Sequence, residues 1–143
     1  MILKIINKSP HSMPNYATVG SAGLDITAWV AEGNVLLQSL ERIAIPTGLF
    51  LQIPAGYEGQ LRPRSGNALK YGLTLLNSPG TIDSDYRGEV KVIVVNLSNE
   101  PVKVTDGQRI AQLVIAAVHQ VKVVEVSEIE PSVRGEGGFG HTG

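Results

Sequence analysis

The residues best suited to chemistry fall in two short runs, Pro63-Arg64-Ser65-Gly66 and Ile82-Asp83-Ser84-Asp85-Tyr86-Arg87. The first sets a permanent cation beside a hydroxyl and a glycine, a set of donors that suits an anion such as phosphate. The second offers two carboxylates, a residue type that can orient a water or take its proton. Taken alone, Asp83 and Asp85 around Ser84 better fit an ordinary turn, and Arg64-Ser65 an ordinary surface turn. A third run, Arg134 to Gly143, reads RGEGGFGHTG, in which Gly135, Gly137 and Gly140 spell G-x-G-x-x-G. A dinucleotide-binding loop of that spacing must follow a strand and open a helix. Only three residues follow Gly140, so a Rossmann loop is not expected here. His11, His119 and His141 form no close pair and cysteine is absent, so neither a zinc site nor a disulfide framework is expected.

The elements that must hold these residues are short strands. LKIIN, DITAWV, RIAIPTGLFLQIP, YEGQLRP, LTLLN, GEVKVIVVNLS, PVKVT, RIAQLVIAAV and VKVVEV are rich in Val, Ile, Leu and Thr, with AEGN, IPAG, NSPG and SNEP between them. That spacing predicts an all-β sandwich, barrel or jelly roll. Tyr57 and Leu61 alternate with Glu58, Gln60 and Arg62, the period of a strand with one wet face. RIAQLVIAAV is almost continuously apolar, so it is a central strand or one whose second face is covered by another subunit. RSGNALKYG predicts one short helix over Gly66 to Tyr71, with Ser65 at its cap and Gly72 as its stop. Composition shifts near residue 130, and five of the last ten residues are Gly, too many for a packed element.

The chain of 143 residues suits one domain. Its 43% hydrophobic and 17% charged residues leave little charged exterior, a composition that fits burial of surface in an oligomer. A net charge of −1 argues against coating nucleic acid. MILKIINKSP lacks the form of a signal peptide, and the longest apolar run, Leu113 to Val118, is far short of a membrane span. A soluble, cytoplasmic protein with no membrane partner is expected.

Five stretches in this order, AGLDI (Ala22 to Ile26), PRSGNA (Pro63 to Ala68), NSPGTIDSDYRGE (Asn77 to Glu89), GQRIAQ (Gly107 to Gln112) and RGEGGFGHTG, closely resemble the five motifs of the trimeric dUTPases. The resemblance spans the chain. It implies a jelly-roll, β-barrel-like fold with one short helix and a flexible C-terminal tail. Residues 1–133 would form the catalytic barrel and 134–143 a mobile glycine-rich lid. Three active sites would be shared within a homotrimer, and the reaction would hydrolyse dUTP to dUMP and pyrophosphate. By the same resemblance Asp83 activates the water that attacks the α-phosphorus, Gln112 lies near the phosphates and that water, and Asp25 acts on metal-bound waters and arginine partners. Arg64, Ser65 and Gly66 cradle phosphate. Asn77, with the backbone of residues 77 to 86, reads uracil, and Tyr86 leaves no room for a 2′-hydroxyl. Phe139 stacks on the base, with Gly140 beside it in the lid, and Arg134 meets the terminal phosphate. His141 stands where the family commonly has Ser.

Mg²⁺ is expected as the cofactor, bound through the substrate phosphates, because no carboxylate cluster has the spacing of a protein cage. Two alternatives on the same scaffold are a dCTP deaminase-like enzyme and a non-catalytic nucleotide-binding regulator. The first needs a buried Glu where Val90 to Asn96 reads VKVIVVN. The second fits poorly with five motifs that all keep their key side chains.

Overall fold

Alternation between a buried and a wet face builds the core strand by strand. In Glu89–Asn96 (β8), Val90, Val92 and Val94 are buried while Lys91 faces out. The computed structural model describes residues 1–140. Before β8 come β1 (Lys4–Asn7), β2 (Leu24–Thr27), β3 (Asn34–Leu37), β4 (Arg42–Gln52), β5 (Tyr57–Pro63), the helix α1 (Ser65–Tyr71), β6 (Leu73–Leu75) and β7 (Gly80–Ile82). After it come β9 (Val102–Thr105) and β10 (Arg109–Ala117). Two four-stranded sheets, ordered β1-β4-β8-β6 and β2-β10-β5-β7, stand beside a β3-β9 ribbon, and every pairing is antiparallel. Ile26, Leu61, Ile110 and Leu113 from one sheet and Ile45, Leu73, Val92 and Val94 from the other share one apolar cluster. The fold is all-β and jelly-roll-like, as expected. No helix among the described residues is long and apolar enough to cross a membrane.

Three local readings need correction. Helix α1 starts one residue early, at Ser65, so Arg64 occupies the cap position and no side chain caps the N–H groups. VKVVEV (Val121 to Val126) forms no strand, and its valines are 60–88% exposed. Period-2 alternation needs a partner edge to become a strand, and among the described residues this segment has none. Conversely, β3 and β7 arise beside stretches that read as turns, because each finds such an edge, on β9 and β5 respectively. RIAQLVIAAV is the central β10, between β2 and β5, with Leu113 buried and Val114 and Ala116 half-covered on the opposite face.

Two strands end in the same way. β1 stops at Asn7 and β8 at Asn96, each followed by x-Ser. The Oδ1 of each Asn accepts both the backbone N–H and the hydroxyl of its Ser (Ser9 or Ser98), at 2.7–2.9 Å. Each Nδ2 donates to a carbonyl four residues on, that of His11 or Glu100, at 2.8 Å. Both turns press on a glycine in the left-handed region, Gly48 (φ +71) or Gly72 (φ +63), where a Cβ would come within 3.0 Å of the serine. Asn96 is wholly buried and also donates to the carbonyls of Leu37 and Gln38. It ties the end of β8 to β3.

Candidate functional site

The β7–β8 connection carries the carboxylates. Asp83 is exposed just past the end of β7, and its carbonyl accepts the N–H of Tyr86 at 3.1 Å, closing a turn. The Tyr86 hydroxyl donates to the carbonyl of Glu89 at 3.1 Å, which lays the ring back along its own hairpin. Asn77, Gly80, Thr81, Asp83 and Tyr86 line one cleft of about 450 Å³ against β8. The structure thus brings together the residues expected to read base and sugar with the expected water-activating group.

A second cluster gathers three other motifs. Asp25 on β2 is largely buried, with its side chain 14% exposed, and each of its oxygens receives a different arginine. Arg64 Nε donates to Oδ1 at 2.9 Å, and Arg109 Nη1 donates to Oδ2 at 3.0 Å. Gln112 lies opposite Asp25 in the β2–β10 register. Its side chain covers Gly23, where a Cβ would meet Gln112 Cβ at 3.1 Å, so the AGLDI glycine makes room for it. Asn67, the one buried side chain of α1, donates to the carbonyl of Arg109 at 3.0 Å. Ser65 and Gly66 are exposed beside this cluster. Neither Arg109 nor Asn67 was among the expected site residues. The available signal was only that arginines stand in PRSG and GQRIAQ; the five motifs hold several carboxylates, and nothing in the sequence singles out Asp25 as the partner of both.

These two clusters do not meet within one chain. Ile82 pairs with Gly59 and Pro63 with Ala111, so Asp83 and Arg64 sit at opposite ends of β5. Six residues of extended chain separate those levels by about 20 Å. Among the described residues, the tail joins neither cluster. Arg134 Nε donates to the carbonyl of Gly137 at 2.7 Å, and Phe139 is fully exposed. Gly140 follows in the left-handed region, while His141 lies outside the described residues.

The segment leading to β2 is pinned by a pair distant in sequence. His11 Nε2 lies 3.0 Å from Asp106 Oδ1, which also accepts the N–H of Val30 at 2.7 Å. The hydrogen bond from His11, then that from Val30, holds the Asp106 carboxyl below its ordinary range. A carboxyl lowered in the folded state contributes stability that is complete above its unfolded pKa and is lost as pH falls through the folded one. Asp106→Asn is therefore expected to be less stable than the parent near neutral pH, with the gap narrowing below about pH 4. Denaturant melts at fixed protein concentration measure it, and a gap independent of pH would contradict this account.

The dUTPase family profile matches residues 9–143. The deoxyuridine 5′-triphosphate nucleotidohydrolase of Fusobacterium nucleatum subsp. nucleatum is 55% identical over 141 residues, covering 99% of this chain and 96% of the relative. That of Cytophaga hutchinsonii is 53% identical over 141 residues, covering 99% and 91%. Among solved structures, the Staphylococcus bacteriophage 80alpha dUTPase with dUPNHPP superposes with a TM-score of 0.88 at 28% identity, covering 99% of this chain and 98% of that one. With its two clusters built from the motif segments and relatives of this similarity along nearly its whole length, the chain belongs to the dUTPase family.

Proposed function

We propose that this protein hydrolyses dUTP to dUMP and pyrophosphate, lowering dUTP and supplying dUMP for thymidylate synthesis in the cytoplasm. The observation that carries the reading is the cleft holding Asn77, Asp83 and Tyr86 together, in a chain whose curated relatives bear that activity in their names. Asp83 orients and deprotonates the water that attacks the α-phosphorus. A carboxylate is a weak base, so in-line placement of the water matters more than proton affinity. Arg64, Ser65, Gly66 and Gln112 receive the phosphates. Release of pyrophosphate from dUTP by the purified protein tests the reading directly. Failure to turn over dUTP while binding it would favour a regulator, and ammonia release from dCTP a deaminase.

Magnesium enters this reading with the substrate. Among the described residues no group of three or more His, Cys, Asp or Glu could hold a metal. Both Asp25 oxygens already receive an arginine, although a carboxylate retains further acceptor positions for water. This donor set fits an ion carried on the phosphates, as Mg²⁺ prefers, with Asp25 reaching it through water. The split geometry supports a trimer with shared sites. Asp83 of one subunit would face Arg64, Ser65 and Gln112 of a second, and the 134–143 lid of a third would bring Arg134, Phe139 and Gly140. The exposed valines of VKVVEV would cover a neighbour on the way. No nucleic-acid or membrane partner is proposed.

Tyr86 supplies the sugar test. Rejecting a ribonucleotide at this ring costs it a clash and an unpaired buried hydroxyl, the latter about 1–3 kcal/mol. Tyr86→Ala should therefore raise the ratio of kcat/KM for UTP to that for dUTP by about tenfold. An unchanged ratio would place sugar selection elsewhere.

A further inference from the structure

We propose that Gly88 is a positioning residue for sugar selection. Its missing side chain lets the Tyr86 ring lie against the hairpin, and that pose sets the choice between deoxyribose and ribose. The inference rests on the dUTP reading above, with Tyr86 as the ring that meets the sugar. A Cβ at position 88 would overlap the Tyr86 hydroxyl and stand 2.5 Å from Cζ and 2.9 Å from Cε2. The three atoms nearest to it all belong to that one side chain. The backbone makes no separate demand for glycine, because Gly88 lies outside the left-handed region. What a methyl group meets first at this position is the ring.

Both ends of that ring are held. The N–H of Tyr86 donates to the carbonyl of Asp83 at 3.1 Å. Arg87 Nη1 donates to the carbonyls of Ser84 and Tyr86, at 2.7 and 2.8 Å, and braces the same turn. At the far end the hydroxyl donates to the carbonyl of Glu89. Glu89 is anchored in turn, since its Oε1 accepts the N–H of Gly48 at 2.9 Å, within the break in register between β4 and β8. Tyr86 is 47% exposed and lines the cleft that also holds Asn77 and Asp83. A methyl at position 88 therefore leaves the braced backbone in place and displaces the mobile part, the ring. The hydroxyl gives up Glu89, and the face that excluded a 2′-hydroxyl opens.

The test is a double-mutant cycle of Gly88→Ala and Tyr86→Ala. Three quantities are read: kcat/KM for UTP and dUTP, calorimetric Kd for UMP and dUMP, and the thermal midpoint. In the parent, Gly88→Ala should raise the ratio of kcat/KM for UTP to that for dUTP by about fivefold. In the Tyr86→Ala background, where no ring is left to displace, it should change that ratio by less than about twofold. Stability should reverse in sign between the two backgrounds. Gly88→Ala lowers the midpoint of the parent by crowding the ring. It raises that of Tyr86→Ala, where only the smaller unfolded-state entropy of alanine remains. An equal drop in both would mean that the methyl meets something other than the ring and would overturn the proposal, even if Gly88→Ala proved too unstable to assay. Pyrophosphate release from dUTP with both sugar preferences unmoved by Gly88→Ala would keep the dUTP reading and overturn the role of Gly88. If the parent prefers dUMP to UMP, Gly88→Ala narrows that preference and no variant hydrolyses dUTP, the hydrolysis reading fails while the role of Gly88 stands.

Discussion

Asp83→Asn is expected to lower kcat by about 10²–10⁴-fold, the usual worth of a positioned general base, while dUTP still binds nearly as tightly as before. The amide keeps the shape of the carboxylate and can still hold a water. It cannot accept the proton as that water attacks. The side chain is exposed in the single chain and closes its turn through its backbone carbonyl, not its carboxylate. Folding should therefore be untouched, and a loss of rate can be read as chemistry. Stopped-flow binding of dUTP beside single-turnover hydrolysis separates the two quantities. Activity close to the parent would remove Asp83 from the mechanism.

A second large effect concerns assembly. Two inactive chains, Asp83→Ala and a truncation after Val133, should regain activity when refolded together, while each alone stays inactive. The roughly 20 Å between the Asp83 and Arg64 levels of β5, and a tail whose described residues touch neither cluster, motivate this. If hairpin and tail come from different subunits around a closed threefold axis, every mixed trimer contains one site with an intact Asp83 and an intact tail. Random mixing of equal amounts makes about three-quarters of trimers mixed, so recovery should approach about a quarter of parental activity. Were one chain to supply both elements to a site, mixing would restore nothing. Heterotrimers confirmed by mass and found inactive would end the shared-site proposal.

Local chemistry was legible in the sequence and partnership was not. The turn at Asp83–Tyr86 and the stop of α1 at Gly72 depend on a few adjacent residues, so composition announces them. Gly72 does adopt the left-handed cap, at φ +63. The start of α1 was read one residue late because Ser65 is the better capping type, yet the backbone of Arg64 takes the cap conformation without any side-chain cap. VKVVEV looked like a strand because alternation records which side chains want cover, not where the cover lies. Arg109 escaped notice for the same reason. Its carboxylate partner lies 84 residues away, and nothing local marks which of several acids will accept it. β3 was missed because its four residues become a strand only once β9 arrives beside them.

The Asn-x-Ser turn that ends β8 bears on where this chain can be made. Asn96-Leu97-Ser98 is also the acceptor pattern for N-linked glycans, as is Asn7-Lys8-Ser9. In a secretory compartment, sugar transfer that reached Asn96 before the strand docked would place the glycan on Nδ2. That nitrogen is the atom which donates to Leu37, Gln38 and Glu100 from a fully buried site. A glycan there cannot be accommodated, and the modified chain could not close β8 against β3. The fold thus carries an incompatibility with glycosylating export, whereas Asn96→Gln in a secreted version would avoid the sugar only by displacing, with one more methylene, the amide that makes the turn.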